Sequence, residues 1–268
     1  MSIPAARKTA ALAAVFALGL TAACGSDSDG DKSEDTSRDK DRGATSTPSG
    51  GSDDEGGKGD DGGKGGGDTP EGGDGKTLSA GQLDKVALAT ADVKDQGYKV
   101  TSPSPKQLEG RGEETAERSD CQPLAGVIGG DPKPKAKHAA YRQIANAKKA
   151  EAVPVFEYLN AHGTQDNAVK TLADLRKAID DCGDGFNASD ADTDNRYASV
   201  KLLKAPKVGD DSLAYEVVGE AEGETIPLHF VVSRSGATVV VFYSLNITKS
   251  AKTRVSDEVV TAQMDKFR

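Results

Sequence analysis

Apolar residues change their spacing several times along this chain, and each change marks a different kind of segment. They run almost unbroken from about Thr9 to Leu20, nearly vanish from residue 25 to 76, and return from Thr77 onward. Thr77 to Val93 reads as a helix, with Ser79 and Gln82 matching the S-x-x-Q capping box and Leu83, Val86 and Leu88 supplying apolar positions. Tyr98 to Thr101 suits a short strand, Cys121 to Ile128 a short helix stopped by Gly129-Gly130, and Ala139 to Ala145 a strand. Val153 to Ala161 reads as a strand entered through Pro154. From Asn167 to Cys182, Val169, Leu172, Leu175, Ile179 and Cys182 recur at helical spacing, with Asp166 as the expected cap and Gly183 as the stop.

After Cys182 the period falls to two. Tyr197 to Leu203, Ser212 to Gly219, Ile226 to Ser233 and Thr238 to Leu245 are rich in β-branched and aromatic residues, joined through Gly209-Asp210-Asp211, Glu222-Gly223 and Ser235-Gly236. Short connections between successive strands predict an antiparallel meander. A last helix is expected from about Lys252 to Phe267, burying Val255, Val259, Val260, Ala262 and Phe267. The expected class is α+β: an antiparallel sheet of about five to six strands with helices packed on one face.

Composition divides the chain into three parts. Residues 1–23 form a signal peptide: Arg7 and Lys8 precede the apolar run, which is too short to span a bilayer, and Thr21-Ala22-Ala23 offers small residues for cleavage before Cys24. Leu20-Thr21-Ala22-Ala23-Cys24 resembles the lipobox of bacterial lipoproteins, with Leu one position earlier than usual. That resemblance implies that Cys24 becomes the mature N-terminus, carrying a diacylglyceryl thioether and acyl chains such as palmitate. An ordinary secretory signal would leave Cys24 as a free thiol. Residues 24–76 form an acidic tether rich in Gly, Ser and Asp. Beyond Cys24 it holds about half of the 31 glycines and, with 15 acids against 7 bases, nearly all of the formal net charge of −9. So few apolar side chains cannot offset the entropy of ordering, and a flexible chain of this length reaches about 40 Å. Its clusters Asp53-Asp54-Glu55 and Asp60-Asp61 offer weak, unselective cation binding at most. Residues 77–268 are then a single extracytoplasmic domain.

With Cys24 assigned to lipid, Cys121 and Cys182 remain, in a compartment that permits disulfides, and they are expected to pair. A catalytic thiol would need an accessible cysteine, which Cys182 on an apolar helix face is not. His138, His162 and His229 are scattered, so no metal site is expected. No G-x-S-x-G elbow, phosphate loop or dinucleotide fingerprint is present, and neither catalytic residues nor a cofactor are predicted. Lys133, Lys135, Lys137, Lys148 and Lys149 make a basic patch without interleaved aromatics, and export argues against nucleic acid as a partner. Asp190, Asp192 and Asp194 match the first half of a calcium loop, but Asn195 replaces its glycine and Lys201 its closing Glu, so a solvated loop is expected.

The order of elements, with Cys121 in a D-C-x-x-L segment and Cys182 closing a helix before the C-terminal meander, resembles the PknH-like extracellular sensor-domain family, which also occurs in stand-alone actinobacterial lipoproteins. The likeness spans roughly residues 78–268. It implies an α/β unit with a central cleft for an envelope ligand, and commonly two disulfides, of which this chain has cysteines for one. The expected function is a non-enzymatic module, held at the outer face of the cell membrane by its lipid, binding a small envelope ligand or a membrane protein. Ligand-binding residues are unknown from sequence; Tyr141, Phe156, Tyr158, Phe230 and Tyr243 are the aromatic candidates. The alternatives are a carrier of lipid or glycolipid, an interaction protein for a membrane enzyme, and a wall-acting enzyme using paired carboxylates, for which Glu151 and Glu157 are available.

Overall fold

The structure, a computed structural model, describes residues 76–109, 114–148, 153–245 and 254–268. The expectations for the signal peptide, Cys24 and the tether lie outside these residues, as do Glu151, Lys149 and the start of the last predicted helix.

Among the described residues nine strands form one antiparallel sheet: β1 Tyr98–Thr101, β2 Thr115–Ala116, β3 His138–Asn146, β4 Val155–Ala161, β5 Phe186–Ser189, β6 Asp194–Leu203, β7 Asp211–Ala221, β8 Glu224–Ser235 and β9 Thr238–Leu245. Their spatial order is β1-β3-β4-β9-β8-β7-β6-β5-β2. The predicted meander is therefore present from β6 to β9, and its last strand pairs with β4, joining Phe156 to Tyr243 and Ala161 to Thr238. The β7–β8 turn has φ of 51° at Glu222 and 86° at Gly223, the two positive values that suit a tight turn to the twist of its strands.

The α+β class and the antiparallel sheet match the sequence expectation, but the strand count and the placement of the helices do not. About five to six strands were expected and nine are present; β2 and β5 escape the sequence reading because they are short and carry no periodic signal. Helices were expected on one face and occupy both. Along β8, Phe230 and Val232 pack with α3 (Gln122–Gly129) and α4 (Gln165–Asp181), through Leu124, Leu172 and Leu175. Val231, on the alternate side, packs with α1 (Ala80–Val86) and α5 (Asp257–Asp265), through Leu83, Val259 and Val260. Strands β4, β8 and β9 are buried on both sides over much of their length, as in Val239 to Phe242, which demands cover on both faces.

Local chemistry explains the boundaries. Ser79 and Gln82 make the predicted capping box, at 3.4 and 3.0 Å. The helix expected from Thr77 to Val93 breaks after Val86, and Thr90–Val93 forms a separate turn, α2. In one continuous helix Leu88 would lie about 200° round from Val86; an extended Ala87 (ψ 149°) instead turns Leu88 into the core. The long helix is capped by Thr164, whose hydroxyl accepts from the Asn167 amide at 3.2 Å, and not by Asp166. Cys182 is its buried C-cap.

Candidate functional site

The face under α3 and α4 carries an aromatic row running across four adjacent strands. Strand pairing aligns Phe156 of β4 with Tyr243 of β9, Tyr243 with Phe230 of β8, and Phe230 with Tyr215 of β7. Their rings stack at centroid separations of 5.0, 5.7 and 4.9 Å. Tyr158 meets Tyr243 edge-on at 6.2 Å and Tyr141 at 6.0 Å. The inner members are core: Tyr158, Tyr215, Phe230 and Tyr243 are buried. At the outer end Tyr141 and Phe156 are only half-buried, and Ile128, Leu228 and Leu245 pack against the same cluster in the same partly covered state. The five aromatic residues singled out in the sequence are thus brought together, and Tyr215 extends the row. Its place was readable from the alternation Leu213-x-Tyr215-x-Val217.

Polar groups hold the helices over this row. The Tyr158 hydroxyl donates to the Val127 carbonyl near the end of α3. Cys121 and Cys182 are bonded, both buried, tying the turn before α3 to the end of α4. The predicted disulfide is therefore present and lies in the core.

A second cluster stands at the β2 edge. Glu114 Oε1 accepts from the Tyr197 hydroxyl at 2.6 Å and from Asn195 Nδ2 at 3.2 Å. Burial raises the Glu114 carboxyl above its ordinary range, and these two donors oppose that rise. Burial and the facing carboxylate both raise the Tyr197 hydroxyl. A raised phenol is a poor nucleophile, and the pair ties β6 to the segment before β2. Glu114 stands in a polar stretch that gives no sequence signal.

Glu157, one half of the carboxylate pair considered for catalysis, lies on the opposite face beneath α1 and α2. Burial pushes its carboxyl up to about 8, and nearby Arg142 and the Leu88 amide offset this only in part. Its proposed partner, Glu151, falls outside the described residues.

The remaining candidates take structural places. His138 is exposed at the start of β3, His162 is fully buried, and burial lowers its ring below the usual range. His229 accepts from the Val255 amide at 3.1 Å, and burial brings it down to about 4. Asp190 caps its own turn, its Oδ1 accepting from the amides of Asp192 and Thr193 at 2.9 and 2.7 Å. Lys133 and Lys135 converge on Asp131, at 2.6 and 3.9 Å. Among the described residues there is no group of three or more His, Cys, Asp or Glu arranged to hold a metal ion, and no helix long and apolar enough to cross a membrane.

The fold and its row define an α+β, disulfide-bonded domain with a nine-stranded sheet covered on both faces. Among solved structures it is similar to the extracellular domain of PknH from Mycobacterium tuberculosis, at 12% identity and a TM-score of 0.44, over 72% of this chain and 96% of that one. It is also similar to a putative uncharacterized protein of Mycobacterium smegmatis, the Rv0999 ortholog, at 15% identity and a TM-score of 0.39, over 75% and 99%. No protein-family model matches the chain, and no curated protein does. The functional reading rests on this chain's own residues.

Proposed function

We propose that this chain is a non-catalytic module, anchored by lipid on Cys24 at the outer face of a membrane, that binds a small envelope ligand at the open end of its aromatic row. The observation that carries the reading is the row itself. Stacked rings pass from the core at Tyr215 to a half-buried Phe156, beside half-buried Tyr141, Ile128, Leu228 and Leu245. Rings fixed by neighbours in the core present apolar area with little rotamer entropy left to lose, which favours binding of an apolar or ring-bearing group. The buried disulfide suits an oxidising compartment, and the signal-like N-terminus with its acidic tether suits display away from a membrane.

Native mass spectrometry of the chain after incubation with an envelope extract tests this, with Phe156→Ser alongside. The proposal expects a discrete added mass, released on denaturation, with occupancy reduced about tenfold in the variant, as for loss of one aromatic anchor. Equal occupancy in both proteins, or none in either, contradicts it.

A further inference from the structure

Arg142 and Glu157 stand directly opposite each other on β3 and β4, on the face beneath α1. Such a pair brings its Cβ atoms to about 5 Å, within easy reach for an ion pair. No ion pair is formed. Arg142 turns away and donates from Nε to the Leu88 carbonyl at 3.0 Å, from Nη1 to the Tyr141 carbonyl at 2.9 Å, and from Nη2 to the Asp84 carbonyl and Oδ1 at 3.0 and 2.6 Å. Glu157 is left 1% exposed, with the Leu88 amide facing its carboxyl but outside normal hydrogen-bond geometry. Gln263 of α5 also holds the end of α1, its Nε2 donating to the Val86 carbonyl at 2.9 Å.

We propose that Arg142 is a two-position staple: with Glu157 protonated it clamps α1 and the α1–α2 link to the sheet, and with Glu157 ionised it turns to that carboxylate and lets them go. Two of the four acceptors it leaves behind differ most. The Asp84 carboxylate is 71% exposed, so water replaces the guanidinium there. The Leu88 carbonyl belongs to a residue 1% exposed and cannot lose its donor unless water reaches it. Turning of Arg142 is therefore coupled to parting of the link from the sheet. The charged groups that face Glu157 are Arg142 from β3, Asp92 from α2 and Lys266 just after α5, with Asp84 of α1 bonded to the guanidinium. Asp92 and Lys266 are paired at 2.5 Å and largely offset each other. β9 sets the uncharged Phe242 opposite Glu157.

The direction with pH follows from burial. The carboxyl is raised to about 8 in the closed form, so that form holds a proton which the open form has lost above the ordinary carboxylate range. Closure is strongest in acid, weakens as pH rises, and levels off above about 8.

Amide hydrogen exchange of the whole chain, followed by NMR from pH 5 to 9 and corrected for the intrinsic rate, tests the staple. Protection of the Leu83 and Ala87 amides is expected to fall by about tenfold per pH unit up to about 8, while α4 on the other face keeps its protection. Glu157→Gln is expected to hold α1 protection level across the range. Constant α1 protection in the unaltered chain, or the same fall in Glu157→Gln, overturns the proposal. Should that variant misfold, the carboxyl-carbon titration of Glu157 in the unaltered chain decides. A midpoint near 8, at the pH where the fall in α1 protection levels off, supports the staple, and one in the ordinary carboxylate range overturns it.

Discussion

Tyr158 belongs to two systems at once: its ring touches Tyr141 and Tyr243 in the aromatic network, and its hydroxyl donates to the Val127 carbonyl. Removing the hydroxyl leaves a buried carbonyl without that donor while keeping the ring. Tyr158→Phe is expected to lower stability by about 1 kcal/mol, the net worth of one buried hydrogen bond, since the Gly130 amide still donates to that carbonyl, measured by denaturant unfolding, with the aromatic stacking intact. An unchanged midpoint would show that the Val127 carbonyl finds water instead. At this scale the sequence was informative wherever chemistry is local. Ser79 with Gln82, and Cys121 with Cys182 once Cys24 is set aside, were legible. Glu114 with Tyr197 was not: the two lie far apart in the chain, and nothing in a Glu or a Tyr announces such a partner.

Among the elements, α4 shows how an apolar stripe is turned into position. Leu172, Leu175 and Ile179 lie on the sheet, and Cys182 fixes the helix end to the turn before α3 through a bond spanning 61 residues. Closing a loop of that length is worth roughly 4 kcal/mol in the chain-entropy model. Replacing both cysteines with alanine is expected to cost about that much, less any slack in the reduced fold, and to loosen α3 first. Thermal unfolding with and without reductant measures it, and no shift on reduction would show that packing alone holds α3 to α4. Period-three and period-two stretches located most elements correctly. The misses have physical causes: Leu88 sits on the wrong side for a continuous helix, and β2 and β5 are too short for a period to register.

The whole molecule is a sheet covered on both sides, and this was the least legible level. Alternation names the two faces of a strand but not what covers them. Pairing of β4 with β9 joins residues distant in the chain, so the aromatic row exists only in three dimensions. Its members other than Tyr215 were nominated as large aromatics, while their order, from buried Tyr215 to half-buried Phe156, comes from strand pairing. The two faces carry different tasks in this account: α3 and α4 frame the row, and α1, α2 and α5 close over Arg142 and Glu157.

The central claim is that the open end of the row takes up a ligand. Chemical-shift mapping of the labelled chain, titrated with the fraction of an envelope extract that it retains, tests this most directly. A contiguous set of shifts is expected at Ile128, Tyr141, Phe156, Tyr243 and Leu245, with α1 and α5 unmoved. Shifts confined to the α1–α5 face, or a spectrum that no fraction alters, would contradict it.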